Sequence, residues 1–269
     1  MSGRKQTMTF ETAGAAGGGA GRFEFLREEP LMITIEDKPY AVLMRTPGEE
    51  RELAVGFCLA EGVIDSAADI KTIGHDPALD ENVVHVWLQA ERVKRAKRIL
   101  VRRGFISRTS CGVCGKELLE DLLQDLKPVE KDVRITPEKA LACLARLEQH
   151  QQLYESTRCA HAALVFDAGG NLLGFAEDVG RHNAFDKAIG KALLAGRLGR
   201  AAVAVLSSRN SYELVQKAVR AGIPIVLSYS RPTAMAVELG RSMNLTLAFS
   251  SGGDLVVASG AERLAGSKG

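Results

Sequence analysis

The sequence lacks the features that mark exported and membrane-spanning proteins. No apolar run approaches the roughly 18–20 residues that a transmembrane helix needs. The N-terminal segment also contains no apolar core of the kind found in signal peptides. We therefore predict a cytoplasmic protein with no membrane partner.

Cysteine, aromatic residues and net charge are also scarce. Five cysteines in a chain of 269 residues form no even-numbered framework, which favours reduced thiols over structural disulfides. A net charge of +2 is too small to indicate a nucleic-acid-binding surface. Any anion must therefore be bound by a local cluster of arginines. The rest of the composition is that of an ordinary globular protein.

Three regions follow from composition and pattern. Residues 1–22 contain a tract of glycine and alanine that cannot bury enough surface to offset its ordering entropy, so we predict a flexible tail. Residues 23–135 are predicted to form an N-terminal α+β region. Residues 136–269 are predicted to form a C-terminal α/β region that binds a cofactor.

In the N-terminal region, alternating and helical apolar patterns predict a hairpin, a buried helix and two further strands. These are the hairpin Met32–Glu36 with Tyr40–Arg45, the helix Leu53–Val63, and the strands Val83–Leu88 and Arg98–Val101. Cys58, within the helix, is interpreted as a core thiol.

The C-terminal region begins with a clear helix signal. Thr136 is a suitable N-cap, Pro137 suits the first turn, and the helix should run to about Gln152, with Cys143 packed inside. A hairpin is expected next, followed by regular alternation of helices and strands, which is typical of a largely parallel sheet covered by helices. The predicted segments are 162–166, 172–176, 180–195, 201–207, 211–221, 223–229, 232–243 and 245–250.

The segment Ser107–Lys116 contains the motif CGVCG, with Cys111 and Cys114 two residues apart between glycines. A strand-like run precedes it and a helix-like run, 116–126, follows it. A thiol at a helix N-terminus is stabilised as the thiolate, the form that attacks sulfur or binds a metal. Such a pair can serve as half a zinc site, as a dithiol/disulfide couple, or as a persulfide relay.

Three successive strand-to-helix junctions each carry an arginine. They are Glu177–Asn183 with Arg181, Ser207–Ser211 with Arg209, and Ser228–Thr233 with Arg231. If the strands are parallel, all three reach the same edge of the sheet, where helix N-termini and guanidinium groups suit a phosphate. We therefore predict an anion site for a nucleotide or a pyrophosphate.

His182 lies four residues from both Asp178 and Asp186, so a helix would place the three side chains on one face. It could be a general acid or base, a phosphate donor or a helix-cap partner. Zinc binding at the cysteine pair would need two more ligands, which Cys159 and His161 could supply. A thioredoxin-like redox role is disfavoured, because the large C-terminal region has no part in simple disulfide exchange. A persulfide relay with a phosphate-bearing acceptor fits better.

The sequence resembles the FdhD family, whose members carry sulfur for formate dehydrogenase. The resemblance covers roughly residues 24–250 and rests on an ordered set of motifs. The matching segments are Glu29–Leu31, Met44–Gly48, Glu52–Phe57 with Glu61-Gly62, Ser110–Gly115, His161–Ala163, Glu177–Ala184, Ser211–Ala218 and Ala221–Pro224.

The resemblance implies a cytidine-deaminase-like mixed α/β sheet flanked by helices, with a smaller N-terminal α+β part. It also implies that sulfur passes from a cysteine desulfurase to the molybdenum bis(molybdopterin guanine dinucleotide) cofactor, before that cofactor enters formate dehydrogenase. Cys111 matches the cysteine that carries the persulfide, and Cys114 matches its neighbour. A homodimer is also expected.

The cofactor-binding segment of the family matches a stretch rich in serine and glycine. Its residues are Phe249, Ser250, Ser251, Gly252, Gly253 and Asp254. This stretch departs from the family pattern, which carries a basic residue and an Asn-x-Tyr motif. The predicted cofactor contacts also include Arg181, His182 and Arg209. Two other functions stay open: a cofactor-binding chaperone without sulfur transfer, and a CxxC zinc or redox protein.

Overall fold

The computed structural model describes residues 3–14, 18–102 and 126–264 of the chain. The CGVCG motif, with Cys111 and Cys114, lies outside the described residues, as does the helix predicted to follow it as far as residue 125. The predictions for that segment therefore remain predictions.

The N-terminal segment differs from the flexible tail predicted over residues 1–22. Strands β1 (Lys5–Thr12) and β2 (Gly19–Leu26) pair in an antiparallel hairpin. The physical reason is the alternation of apolar residues, since Met8 pairs with Phe23 and both point to the same face of the hairpin. The prediction of a flexible tail rested on the glycine content of this segment and overlooked the alternation of its apolar residues.

A four-stranded sheet follows the hairpin, in the order β4-β3-β6-β5. The predicted antiparallel hairpin of β3 with β4, the buried helix α1 and the strand β6 are all confirmed. The strands are β3 (Glu29–Ile35), β4 (Lys38–Arg45), β5 (Ile70–Gly74) and β6 (Val83–Leu88), and α1 is Glu50–Ala60.

The strand predicted over Arg98–Val101 is wrong, because this segment belongs to helix α2 (Ala90–Arg102). The helix is anchored near its start by the buried Arg92, which donates from Nε to the carbonyl oxygen of Val63 at 2.6 Å. Val93 and Ala96 lie on the side that packs on the core. Tertiary packing at the start of the helix thus overrides the strand-like composition at its end.

The helix predicted from Thr136 is confirmed as α3 (Pro137–His150), with the Thr136 hydroxyl accepting a hydrogen bond from the backbone N–H of Lys139 at 3.3 Å. A short helix, α4 (Gln152–Thr157), follows it. Cys143 is buried in α3, as predicted.

The C-terminal region contains a six-stranded mixed sheet in the order β12-β11-β10-β9-β7-β8. Strands β9, β10 and β11 are parallel, whereas β7 is antiparallel to both β8 and β9, and β12 is antiparallel to β11. The strands are β7 (His161–Asp167), β8 (Leu172–Asp178), β9 (Ala201–Arg209), β10 (Ile225–Ser230), β11 (Thr246–Ser251) and β12 (Asp254–Ser259). The predicted mixed α/β sheet and its hairpin are confirmed.

Helices cover both faces of this sheet, which is why its strands are almost continuously apolar. Three of them alternate with the strands, as predicted: α5 (Arg181–Leu194), α6 (Tyr212–Arg220) and α7 (Ala234–Ser242). They pack on one face in an apolar cluster that continues into α1 and the four-stranded sheet. Helix α3 covers the other face.

Two glycines allow α1 and α5 to cross with their backbones in contact. A Cβ atom on Gly56 would lie 1.9 Å from the carbonyl oxygen of Asp186, and one on Gly190 would lie 1.9 Å from that of Glu52. No larger residue fits either position without moving a helix. This crossing holds α1, and the four-stranded sheet packed in the same apolar cluster, against the helix α5 on the larger sheet.

Candidate functional site

The directions of the strands bring the predicted junctions to one edge of the large sheet. Strand β8 runs in the same direction as β9, β10 and β11, because β7 is antiparallel to both of its neighbours. The carboxyl ends of these four strands therefore lie at a common edge, together with the amino end of β7. In α/β sheets this edge is the usual place for a ligand.

Arg181 and Arg209 come together at this edge. Burial lowers the pKa of the Arg181 guanidinium, and the positive charge of Arg209 lowers it further. Two like charges are held close only at a cost, so their juxtaposition favours an anion between them. These two side chains are therefore close enough to interact at the edge where the strand directions place their junctions.

The N-termini of α5 and α6 are open to a ligand. Their N-cap residues, Gly180 and Ser211, make no side-chain hydrogen bond to the first turn. Backbone N–H groups of both first turns are consequently left for solvent or for an anion.

Several buried polar atoms at the same junctions have no hydrogen-bond partner among the described residues. Each belongs to the start of α5 or to the loop and first turn of α6, and three of them, Arg181 Nε, Ser211 Oγ and Tyr212 Oη, can donate to phosphate oxygens. The atoms are Arg181 Nε, Asn210 Oδ1, Ser211 Oγ and Tyr212 Oη. Buried polar groups are normally paired, so this cluster indicates a place where a polar ligand binds.

The third junction differs from the other two. The Thr233 hydroxyl accepts a hydrogen bond from the backbone N–H of Ala236 at 3.3 Å and so caps α7 itself. Arg209 and Arg231 are both exposed, but the charges that act on Arg181 include Arg209 and not Arg231. The candidate anion site therefore groups two of the three arginines, Arg181 and Arg209.

The main contact of His182 is with neither Asp178 nor Asp186, the two aspartates predicted to share its helical face. Its Nε2 lies 2.8 Å from Oε2 of Glu213, on the first turn of α6. This hydrogen bond lowers the pKa of Glu213. Asp186, one turn further along α5, instead accepts hydrogen bonds from Lys217 of α6 at 2.8 and 2.7 Å. Asp178 precedes the helix, which begins at Arg181, so the three side chains do not share one helical face. The sequence did not indicate Glu213, which lies 31 residues from His182.

Asp178 fixes the loop that carries Arg181 and His182. Its Oδ1 accepts hydrogen bonds from the backbone N–H of Gly180 at 2.9 Å and from Asn183 Nδ2 at 3.0 Å. Its Oδ2 lies 2.7 Å from Nζ of Lys187.

The loop after β4 completes the support of this junction. The backbone N–H of Thr46 donates to Asp178 Oδ2 at 3.1 Å, and the Thr46 hydroxyl accepts from the N–H of Val179 at 3.0 Å. The segment Met44–Gly48, singled out in the sequence, therefore helps to hold the loop that carries Arg181 and His182.

The predicted cofactor segment 249–254 lies at the same edge of the sheet. Phe249 to Ser251 end β11, Asp254 begins β12, and the turn between them consists of Gly252 and Gly253. Both glycines have positive φ angles, 62° and 91°, as this two-residue hairpin turn requires. Strand β11 lies two strands from β9, or about 10 Å from the Arg209 junction.

The described cysteines differ in exposure. Cys58 is completely buried, and burial together with the charge of Asp186 raises its pKa to about 12, so the thiol is protonated at neutral pH. Cys159 is exposed, two residues before His161. Within residues 3–14, 18–102 and 126–264, no group of three or more His, Cys, Asp or Glu side chains could hold a metal ion.

A cleft of about 1100 Å³ lies at the opposite edge of the sheet, where α6 ends. Two of its arginines already have partners: Arg92 donates to the carbonyl of Val63, and Arg220 donates to the carbonyls of Leu59 and Ile64. The edge with the unsatisfied donors is therefore the better candidate for an anion.

The fold and the site together define an α/β protein with a candidate anion-binding site at the carboxyl edge of its sheet. None of the described helices is long and apolar enough to cross a membrane.

The FdhD/NarQ family profile matches residues 26–265. The chain therefore belongs to the FdhD/NarQ family.

Relatives and a solved structure agree with this assignment. The chain is 39% identical to the sulfur carrier protein FdhD of Anaeromyxobacter dehalogenans, over 92% of this chain and 90% of that protein. It is 41% identical to the sulfur carrier protein FdhD of Mycolicibacterium paratuberculosis, over 82% and 84% of the two chains. A crystal structure described as a formate dehydrogenase accessory protein from Desulfotalea psychrophila shares the fold, with a TM-score of 0.78, 23% identity, and coverage of 97% and 100%.

Proposed function

We propose that this protein is a sulfur carrier that serves a formate dehydrogenase. Family membership and the names of the curated relatives support this function. In the proposed reaction, Cys111 receives sulfur from a cysteine desulfurase and passes it to the bis(molybdopterin guanine dinucleotide) form of the molybdenum cofactor. The cofactor is the substrate of the transfer.

The single observation that carries the cofactor part of this proposal is the anion site. Two arginines and two uncapped helix N-termini face the same edge, with the unsatisfied donors Arg181 Nε and Ser211 Oγ between them. These groups suit the diphosphate of a guanine dinucleotide. The turn formed by Gly252 and Gly253 leaves room for a base or ribose beside it, since a Cβ atom on either glycine would meet no other atom within 4 Å.

The transfer of sulfur from the donor to Cys111 needs no additional oxidant or reductant. The Cys111 thiolate attacks the terminal sulfur of the donor's cysteine persulfide, the S–S bond of the donor breaks, and the donor leaves as a thiolate. Cys111 is then the persulfide. A low thiol pKa favours this attack, and the predicted position of Cys111 before a helix provides it.

Mass spectrometry tests this transfer. After incubation with a cysteine desulfurase and cysteine, we expect Cys111 to gain the mass of one sulfur atom. Cys159→Ser, which removes an exposed cysteine outside the motif, is the matched control and should still accept sulfur. A protein whose Cys111 stays unmodified would rule out the relay.

The alternative is a chaperone that binds the cofactor and hands it on without sulfur chemistry. Complementation of formate dehydrogenase activity separates the two functions. We expect Cys111→Ala to abolish complementation if the protein is a sulfur carrier, whereas a chaperone would tolerate this change.

We also propose that two copies of the chain form a homodimer through the N-terminal hairpin. Met8, Phe10, Phe23 and Phe25 share one face of it, and each is 41–46% exposed. At about 200 Å² per large side chain, this face offers on the order of 350 Å² of apolar surface per copy. Pairing two such faces supplies more than half of the roughly 1,200 Å² of a small specific interface.

A second copy of the chain would cover this apolar face and stabilise the hairpin, because a two-stranded hairpin is only marginally stable by itself in water. The Phe10 and Phe25 rings already contact each other at 5.1 Å between centroids. Aromatic side chains of this kind are enriched in the cores of interfaces.

A further inference from the structure

His161 lies between the two arginine junctions. It is the first residue of β7, the strand that separates β8 from β9 in the sheet. Its register partner on β8 is Asp178, three residues before Arg181. The antiparallel direction of β7 is what brings its first residue to the edge where the parallel strands end.

The side chain of His161 belongs to the face of the sheet that carries α5 and α6. Alternate residues of a strand point to the same face, so His161 shares a face with Ala163 and Val165. These two residues pack in the cluster that contains Phe185 of α5 and Leu214 of α6. The imidazole is therefore on the same side of the sheet as the two open helix N-termini.

Charged groups of three neighbouring elements face His161. A fourth element, α6, contributes Glu213, which contacts His182. Burial lowers the pKa of His161, and the positive charges of Arg181, His182 and Arg209 lower it further, whereas Asp178 raises it. The groups facing it are Asp178 of β8, Arg181 and His182 of α5, and Arg209 of β9. Asp178 is already paired with Lys187, so the net surroundings of His161 are cationic.

We infer that His161 is a further ligand-contacting residue of the anion site and becomes protonated, from solvent, when a diphosphate group binds beside Arg181 and Arg209. The inference rests on the proposed function, which supplies the diphosphate. Nothing in the spacing of the sequence indicates this role, since His161 lies 20 residues from Arg181 and 48 from Arg209.

Electrostatics explains why binding and protonation are coupled. In the free site, the arginines and burial both oppose a third positive charge on His161. A bound diphosphate neutralises the arginines and favours the imidazolium, which can then donate a hydrogen bond to a phosphate oxygen. The pKa of His161 is thus low in the free protein and higher in the complex. Protonation of His161 strengthens diphosphate binding fully at pH values below the pKa of His161 in the free protein. This gain in affinity is lost as the pH rises through the pKa of His161 in the complex.

NMR titration of the full-length protein, with GDP as the probe, tests this directly. The chain contains five histidines, so their imidazole signals can be assigned by substitution. We expect saturating GDP to raise the titration midpoint of His161 by about one pH unit or more. The signal of His85, which is hydrogen-bonded to Thr34 in the separate four-stranded sheet, should not move.

Calorimetry in buffers of different ionisation enthalpy measures the protons taken up when GDP binds. We expect His161→Gln to reduce this uptake and to flatten the rise in GDP affinity between pH 8 and pH 6, while His85→Gln behaves like the wild type. Comparison of variants with the same ligand cancels the ionisation of GDP itself.

The outcomes distinguish this inference from the proposed function. If GDP binds but His161 does not shift, or if the uptake is lost in His182→Gln and not in His161→Gln, the inference is wrong and the anion site stands. If GDP fails to bind, or binds equally well to Arg181→Ala, the proposed site is overturned and the inference falls with it.

Discussion

Asp178 and Lys187 form a completely buried ion pair, with Asp178 Oδ2 and Lys187 Nζ 2.7 Å apart, at the point where β8 leads into α5. Lys187 also donates to the carbonyl oxygen of Thr46 at 2.7 Å, so the pair connects the N-terminal region with the anion site. Burial lowers the pKa of Lys187, while Asp178 opposes this effect.

Removing one partner of this pair should destabilise the protein strongly, because the other charge is left buried. We expect Lys187→Met to reduce the free energy of unfolding by about 3–5 kcal/mol, measured by urea denaturation. Lys94→Met is the control, since Lys94 pairs with Glu91 on the surface. Equal stability of the two variants would contradict a structural role for the buried pair.

The two-arginine site predicts unequal effects at the three junctions. Arg181→Ala and Arg209→Ala should each weaken GDP binding about 10- to 100-fold, since each removes a charge-assisted hydrogen bond worth about 1.5–3 kcal/mol. Arg231→Ala should change the affinity less than about threefold, because Thr233 already caps that helix and the charges that act on Arg181 do not include Arg231. Calorimetric titration measures all three, and an effect of Arg231 as large as that of Arg181 would contradict the assignment.

The crossing of α1 and α5 predicts a steric effect at Gly56 and Gly190. Alanine at either position would place Cβ 1.9 Å from a carbonyl oxygen, so we expect a loss of several kcal/mol or failure to fold. Gly199→Ala is the control, because its Cβ would meet no other atom within 4 Å. Thermal unfolding should separate the variants, and a wild-type midpoint for Gly190→Ala would mean that the helices are not in backbone contact.

The burial of the cysteines predicts their reactivity. In the native protein, iodoacetamide should modify Cys159 and leave Cys58 and Cys143 unmodified, since both are buried and burial raises the pKa of each thiol. Peptide mass mapping before and after denaturation provides the readout. Rapid native alkylation of Cys58 would show that the core around α1 is not closed.

The hairpin face predicts how the oligomer can be disrupted. Phe10→Ser with Phe23→Ser should weaken self-association at least about 100-fold, because both rings lie at the centre of the proposed contact. Thr7→Ser with Thr9→Ser, on the opposite face of the hairpin, is the matched control. Sedimentation velocity gives the masses, and a wild-type protein that is monomeric at all concentrations would refute the dimer.

Local patterns predicted much of the fold. The helix beginning at Thr136, the hairpin of β3 and β4, and the alternation after residue 160 all follow from caps and apolar periods within a few residues. The arginine-bearing junctions were also visible, because strand ends and helix starts have local signals.

Other features depended on contacts between distant segments. The strand expected at Arg98–Val101 is part of a helix held by Arg92, and the glycine-rich N-terminus contains two strands that pair with each other. Short runs of ambiguous composition take the conformation that their tertiary contacts favour.

The composition of the site was decided by strand order. Sequence alone suggested three equivalent arginines and paired His182 with aspartates in its own segment, whereas the fold groups Arg181 with Arg209, pairs His182 with Glu213 and adds His161. Caps and periodicity arise from neighbours along the chain, so they can be inferred from sequence. The field around a charge depends on which strand ends meet at one edge, and only the folded chain brings those ends together.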